Sequence, residues 1–337
     1  MNRRKADQDV SGRVRISDPD AVFAALDELL RARYGDYRRA RLRHAFETFT
    51  ALYAGSLKGY LGCDTWYHDV QHSLDCTLAM ARLVVSHDAS VIPQRRLGPD
   101  LAVFGIVCAL FHDAGYIRRD TEADIANGAV LTLTHVERSA RFLDAYLPQI
   151  GFAKLAPVSH KIVHFTGYEI ALEDIHVRGY KHRMIGKLLG TADILSQCSD
   201  RCYLEKCYRY LYREFEYCGL AGEAQQGRPA PVYSSPEDLM AKTPSFVKHL
   251  FEQRLDSHFD RVYELVGAQF PGRGNLYLDA IAGHVRHVEG MIARGDFSAL
   301  RRRVYRHHGP VLKQSLKRQG RSLPSARRLA ALSRATA

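Results

Sequence analysis

The feature that most constrains this chain is the stretch Leu101 to Tyr116, LAVFGIVCALFHDAGY, an apolar run without proline that ends on the pair His112-Asp113 and then Gly115. A segment this long and this apolar reads as a helix buried on nearly all sides rather than as an amphipathic surface helix. The charged pair at its end is then out of place. Burying an ionised carboxylate costs several kcal/mol unless an opposite charge compensates it, and for an Asp beside a His a divalent metal is the most available partner. Further ligands must then come from elsewhere in the chain.

The rest of the composition bears on that reading only where it excludes alternatives. With 337 residues, 46% hydrophobic and 25% charged, the chain has the material of a soluble globular protein with one large domain or two small ones. No apolar run reaches the ~18 residues of a membrane span, and the N-terminus MNRRKADQDVSGR lacks the hydrophobic segment of a secretory signal, so the expectation is a cytoplasmic protein with no membrane span. Seven cysteines, an odd number with no CxxC pair, read as reduced core thiols. The net charge of +11 is a property of one end: Arg301 to Ala337 carries eleven Lys and Arg and no acid, which leaves residues 1–300 formally neutral. That basic tail admits a weak nucleic-acid or anionic contact, with a solvated terminus as the plain alternative.

Taken in order, the chain reads as helical throughout, with apolar residues recurring at three and four and no alternating strand pattern of useful length. Asp18 or Asp20 suits the cap of a first helix, Thr134 and Glu137 stand in capping-box register, and YHDVQHSLDCTLAMARLVVSH is helical from about Tyr67. The fold class is all-α, a helical bundle with an appended C-terminal helical part. The expected divisions are a basic N-terminal tail at 1–17, a helical domain at 18–220, a Gly/Pro-rich linker at 221–236, a C-terminal helical part at 237–310 and a basic, flexible tail at 311–337. The aromatic series Tyr203, Tyr208, Tyr210, Tyr212, Phe215, Tyr217 reads as packing or as a self-association face, so a homo-oligomer stays open.

Candidate ligands follow at regular intervals. His72 lies 40 residues before His112; His135, His164 and Asp193 follow Asp113 in steps of 22, 29 and 29. Each step is about one helix-loop-helix, the spacing by which successive antiparallel helices project ligands into a common interior. Imidazole and carboxylate together suit Fe, Mn, Zn, Ni or Co better than an all-oxygen cage. Six such ligands exceed the needs of one ion with an open position, and two ions bridged by Asp113 fit the count, with Mg admitted at the second.

The ordered set His72, His112-Asp113, His135, His164 and Asp193, with the HDAGY turn and the tripeptide Thr191-Ala192-Asp193, resembles the HD-domain superfamily of metal-dependent phosphohydrolases in its two-metal variety, over Tyr67 to Asp200. The resemblance implies that His72, His112, Asp113 and Asp193 hold one ion and that Asp113, His135 and His164 hold a second. Tyr67-His68-Asp69-Val70-Gln71-His72 is also similar to the YHNxxH signature of cyclic-nucleotide phosphodiesterases, in which the earlier histidine protonates the leaving oxygen. Asp69 departs from that signature. His68 and His72, four apart, would share a helix face, with His68 as acid and His72 on the metal. Gly115-Tyr116 in place of a Gly-Lys turn, and His164 without an adjacent second histidine, weaken a cyclic dinucleotide as substrate.

The implied activity is hydrolysis of a phosphate ester on a small phosphorylated substrate, nucleotide or cyclic-nucleotide-like, by a metal-activated hydroxide, with His68 and Asp113 catalytic. Lys161, Lys187, Arg118 and Arg119 stand near ligands in sequence and are candidates for phosphate oxygens, against the plain reading of solvated surface charges. His160 is read as support for the ligands or as surface, and the remaining histidines, His284 among them, as structural. The same six ligands are also similar to those of mixed-valent di-iron oxygenases on the HD scaffold. A third reading is a non-enzymatic nucleotide- or RNA-binding module that uses the basic tail.

Overall fold

The computed structural model describes residues 4–224 and 230–305. Its α-helices are α1 (Pro19–Tyr34), α2 (Arg39–Tyr53), α3 (Val70–Ser90), α4 (Gly98–Leu110), α5 (His135–Tyr146), α6 (Ala156–Ile162), α7 (Tyr180–Ser199), α8 (Tyr203–Lys206), α9 (Tyr212–Tyr217), α10 (Pro236–His249) and α11 (Leu276–Arg294). Short 3₁₀ turns join many of them, and no strand occurs among the described residues. The fold is all-α.

At α1, α3, α10 and α11 the residue before the helix takes up first-turn N–H groups with its side chain. Asp18 caps α1 by accepting from the Asp20 amide at 3.0 Å, with Pro19 at the first position. Asp69 caps α3 by accepting from the His72 amide at 3.0 Å. α3 therefore starts at Val70 rather than near Tyr67. His68 precedes the helix, and the shared helix face expected of His68 and His72 does not exist; their rings meet edge to face at 5.9 Å instead. The expected capping box on α5 does not form either. The Thr134 hydroxyl turns back to the Leu131 carbonyl, and Glu137 is taken up by Arg141 and two histidines.

α3 is the central post, packed against α1, α4 and α7, and nearly every residue from Val70 to Asp88 is buried. α4 is the apolar run itself, and its closing residues from Ala102 to Leu110 are buried on all sides. By length and composition Pro93–Tyr116 would pass as a membrane span, longer than the run-length reading allowed, but 78% of its apolar window is buried inside the protein, as in a core helix. The helix stops at Leu110, so His112 and Asp113 lie in the turn that follows and not on α4.

α11 packs on α7 and α10. Arg82 of α3 ties this layer to the start of the chain, donating to Asp9 at 2.6 Å and to the Tyr277 hydroxyl at 2.8 Å. Residues 4–17 thus lie against the body, with Asp9 fully buried. The cysteines are all free, five of them buried. Tyr203, Tyr210 and Tyr212 of the aromatic series are core residues, while Tyr217 is exposed. The middle of the expected linker, 225–229, and the basic tail from Arg306 onward lie outside the described residues.

Candidate metal centre

Three segments deliver the first cluster. His72 comes from the opening turn of α3, His112 and Asp113 from the turn after α4, and Asp193 from the middle of α7. The turn is possible because residue 115 is glycine: a Cβ there would run into the His135 carbonyl and the Arg138 side chain, and the Gly115 amide donates to the Ser139 hydroxyl at 2.8 Å. That close approach seats the start of α5 directly beneath the His-Asp pair.

The four side chains converge through their coordinating atoms. His72 Nε2 lies 3.3 Å from Asp113 Oδ2 and 3.3 Å from Asp193 Oδ1, and His112 Nε2 lies 3.3 and 3.5 Å from the same two oxygens. The two Nε2 atoms are 3.3 Å apart. Ligands held at about 2.1 Å from one ion are separated by about 3.0–3.4 Å, so these edges are those of a coordination shell. His112 donates its Nδ1 proton to the Ala109 carbonyl at 2.8 Å, which leaves Nε2 as the ring atom that faces the carboxylates. Among the described residues, no donor of acceptable hydrogen-bond geometry reaches the fully buried Asp113 Oδ2. Acceptors gathered around an orphaned carboxylate oxygen fit a cation.

Electrostatics tell the same story for the cluster without an ion. Burial works against charge on every member, yet the Asp113 and Asp193 carboxylates hold the His72 imidazole up at about 9 and raise His112 well above its ordinary value. Reciprocally, despite the same burial, the two imidazoles hold Asp113 and Asp193 well below the usual carboxylate range. A divalent cation would take over the compensation that protons otherwise supply. The Cys76 sulfur shares the shell of His112 and Asp193, but burial pushes its thiol to about 11 and keeps it protonated.

His135, the first residue of α5, reaches the other oxygen of Asp113, Nε2 to Oδ1 3.7 Å, with its Nδ1 donating to the Thr132 carbonyl at 2.6 Å. Burial keeps its pKa below the ordinary value, so its Nε2 is a free ligand atom. His164 is different. It sits in the 3₁₀ turn Val163–Phe165, and its partners are Glu169 at 2.5 Å through Nδ1 and Glu137 at 3.6 Å through Nε2. With Glu137 and His160 it forms a group whose ligand atoms lie within 4.8 Å of one another.

His68 stands beside the cluster. Its Nδ1 is 2.6 Å from Glu214 Oε2, while Glu214 Oε1 accepts from the Trp66 and Tyr67 amides at 2.5 and 2.6 Å. Glu214 is fully buried on α9, just after a π-helical turn at Cys207–Leu211. One carboxylate thus fixes both the backbone before α3 and the ring of His68, leaving His68 Nε2 as the atom that can exchange a proton. The Tyr116 ring stacks on His68 at 4.4 Å and on His135 at 4.3 Å. Tyr116 was read only as the end of the HDAGY turn, and Glu214 was not singled out at all: it is 146 residues from His68, and a lone Glu in an aromatic-rich helix has no spacing that announces it.

The cations read as phosphate ligands have other partners. Lys187 pairs with Asp260 at 2.6 Å, Lys161 donates to the His176 carbonyl at 3.1 Å, and Arg118 pairs with Asp64 at 2.7 Å. Arg119 is exposed, its amide bonded to Glu122. Lys187 borders a surface cleft of about 390 Å³ with Phe165, Arg178, Arg183 and His258, apart from the cluster residues. None of the known protein-family models, curated proteins or solved structures matches this chain.

Proposed function

We propose that this protein is a metal-dependent phosphohydrolase of the HD type, acting on a phosphate ester. The observation that carries the reading is the buried convergence of His72, His112, Asp113 and Asp193 beside a histidine whose free nitrogen is fixed by a buried carboxylate. His72, His112, Asp113 and Asp193 would hold one divalent ion, and Asp113 with His135 supplies ligands for a second. Bound there, such ions supply charge neutralisation for a phosphate and a lowered pKa for water.

The chain's own residues account for the rest of the chemistry. In hydrolysis a water oxygen attacks phosphorus, the ester P–O bond breaks, and the leaving oxygen takes a proton. His68 is the donor, because Glu214 occupies its Nδ1 and leaves Nε2 as the nitrogen able to hand on a proton. Tyr116 packs the His68 and His135 rings and limits their rotation. Asp113 touches His72, His112 and His135 at once, so it is the residue on which the arrangement depends. A positioned acid serves hydrolysis and has no evident part in an oxygenase, so the dyad favours the hydrolytic reading.

The test is elemental analysis of the purified protein together with a screen of phosphomonoesters, nucleotides and cyclic nucleotides in the presence of Mn, Ni or Fe. Divalent-dependent release of a phosphate ester is expected. Two tightly bound irons with dioxygen consumption and no hydrolysis of any ester would replace this reading by the oxygenase.

A further inference from the structure

We propose that Glu137, His160 and His164 form a separate site for a late first-row divalent cation, zinc or cobalt, at the junction of α5 and α6. This does not rest on the hydrolase reading. The ligand atoms of the three side chains lie within 4.8 Å of one another. His160 Nε2 is 3.3 Å and His164 Nε2 3.6 Å from Glu137 Oε2, against about 3.4 Å for two ligands of a tetrahedral ion. His160 and His164 are four apart, where α6 runs into its closing 3₁₀ turn, and both reach across to the first turn of α5.

What sets this group apart from an ordinary cluster of ion pairs is the far side of each ring. His160 Nδ1 is 2.6 Å from Asp144 Oδ2, and His164 Nδ1 is 2.5 Å from Glu169 Oε1. A histidine that gives its Nδ1 proton to a carboxylate presents a bare Nε2, and a carboxylate behind the ring is the usual support of a metal-bound imidazole. The two Nε2 atoms and one carboxylate oxygen of Glu137 then face each other. Glu137 is itself oriented by Arg141, which bonds its other oxygen at 2.7 Å. Three carboxylates against one guanidinium leave the neighbourhood negative, and a cation relieves both deficits. His160 and Glu137 are each about a third exposed, at 36% and 37%, so an ion can enter from solvent and keep a water as its fourth ligand.

The backbone is arranged to allow this. A Cβ on Gly167 would collide with the Glu169 carboxylate, so glycine at that position lets Glu169 fold back behind His164. Glu137 lies two residues after His135, so an ion here would also brace the turn that presents His135 to Asp113.

The experiment uses the full-length chain, stripped with chelator and titrated with Co²⁺ while visible absorption and bound metal are followed. An Asp113→Asn background weakens the deep cluster, and comparing variants within that background reads the contribution of the α5–α6 site. In that background the chain is expected to bind cobalt with ligand-field bands, to lose the bands with His160→Asn or Glu137→Gln, and to bind about 10–100-fold more weakly with Asp144→Asn. Should Asp113→Asn fail to fold, the parent chain is expected to hold one more equivalent than the well-folded surface variant His160→Asn. Equal stoichiometry and affinity in parent, His160→Asn and Glu137→Gln chains would overturn the proposal.

Discussion

The two faces of α7 hold histidines that are equally buried and chemically opposite. On one face His72, 7% exposed, meets the carboxylates of Asp113 and Asp193 and is pushed up to about 9 against the effect of its own burial. On the other face His284 of α11, also 7% exposed, has the Cys198 carbonyl at 2.9 Å as its hydrogen-bond acceptor; burial, with Arg302 and Arg4 nearby, brings it down to about 4. Burial is common to both and therefore decides neither. What decides is the charge facing the ring: an amide carbonyl makes a neutral core histidine, whereas two carboxylates demand a proton or a cation. α7 thus supplies a carboxylate of the cluster at Asp193 and, through the Cys198 carbonyl, the partner of a structural histidine.

The largest effect that would break this contrast is at Asp113. Asp113→Asn keeps the shape and removes the charge shared by His72, His112 and His135. Ion content in the deep cluster should collapse and ester hydrolysis fall by about 10⁴-fold or more, read by elemental analysis and turnover with added Mn. An Asp113→Asn protein with parental turnover would mean that the carboxylate face of α7 is no more a reaction centre than the carbonyl face.

Next in size is Glu214→Gln. It keeps an acceptor for the Trp66 and Tyr67 amides but not the anion beside His68. Turnover should fall by about 10²–10³-fold, with His68→Ala at least as damaging, while bound metal stays at the parental level. Loss of metal in step with activity would instead make Glu214 part of the scaffold of the deep cluster.

The carbonyl face was legible as fold and the carboxylate face only in part as site. The apolar run at Leu101 announced a buried helix because a helix hydrophobic all round has one place to go, and Asp18 announced a helix start through its cap. His72, His112, Asp113 and Asp193 were named from their regular spacing, and the folded chain brings these four side chains together. His164 was grouped by the same spacing with Asp113 and His135, while its contacts are with Glu137 and Glu169. Spacing predicts that a residue comes back to the interior, but which carboxylate it meets is set by the 3₁₀ turn at Val163–Phe165 and by Glu169 folding back at Gly167. Glu214 was invisible because its pairing with His68 depends on how α9 leaves a π turn, which no local pattern encodes.

A smaller, purely thermodynamic test isolates the carbonyl face. The folded chain takes up a proton at His284 only near pH 4, whereas an unfolded histidine does so near 6.5, so the folded state binds fewer protons between those values. Stability from this group is full above about pH 6.5 and is lost as pH falls toward 4, by up to about 3 kcal/mol. Urea midpoints at pH 7 and pH 4.5 should show this loss in the parent and a reduced one in His284→Gln. Equal acid sensitivity in both proteins would remove His284 from the explanation.

The smallest effect separates the framework of α3 from the chemistry at its first turn. Asp69 touches His72 only through the backbone amide, as a helix cap. Asn caps as well as Asp, so Asp69→Asn should change stability by no more than a few tenths of a kcal/mol, and Asp69→Ala should cost about 1 kcal/mol. Neither should change the number of ions bound, since the ring of His72 keeps both carboxylate partners. Chemical denaturation paired with elemental analysis reads the two quantities separately. If Asp69→Asn sheds metal while its denaturation midpoint stays put, Asp69 belongs to the charge balance of the centre and not only to the cap of α3.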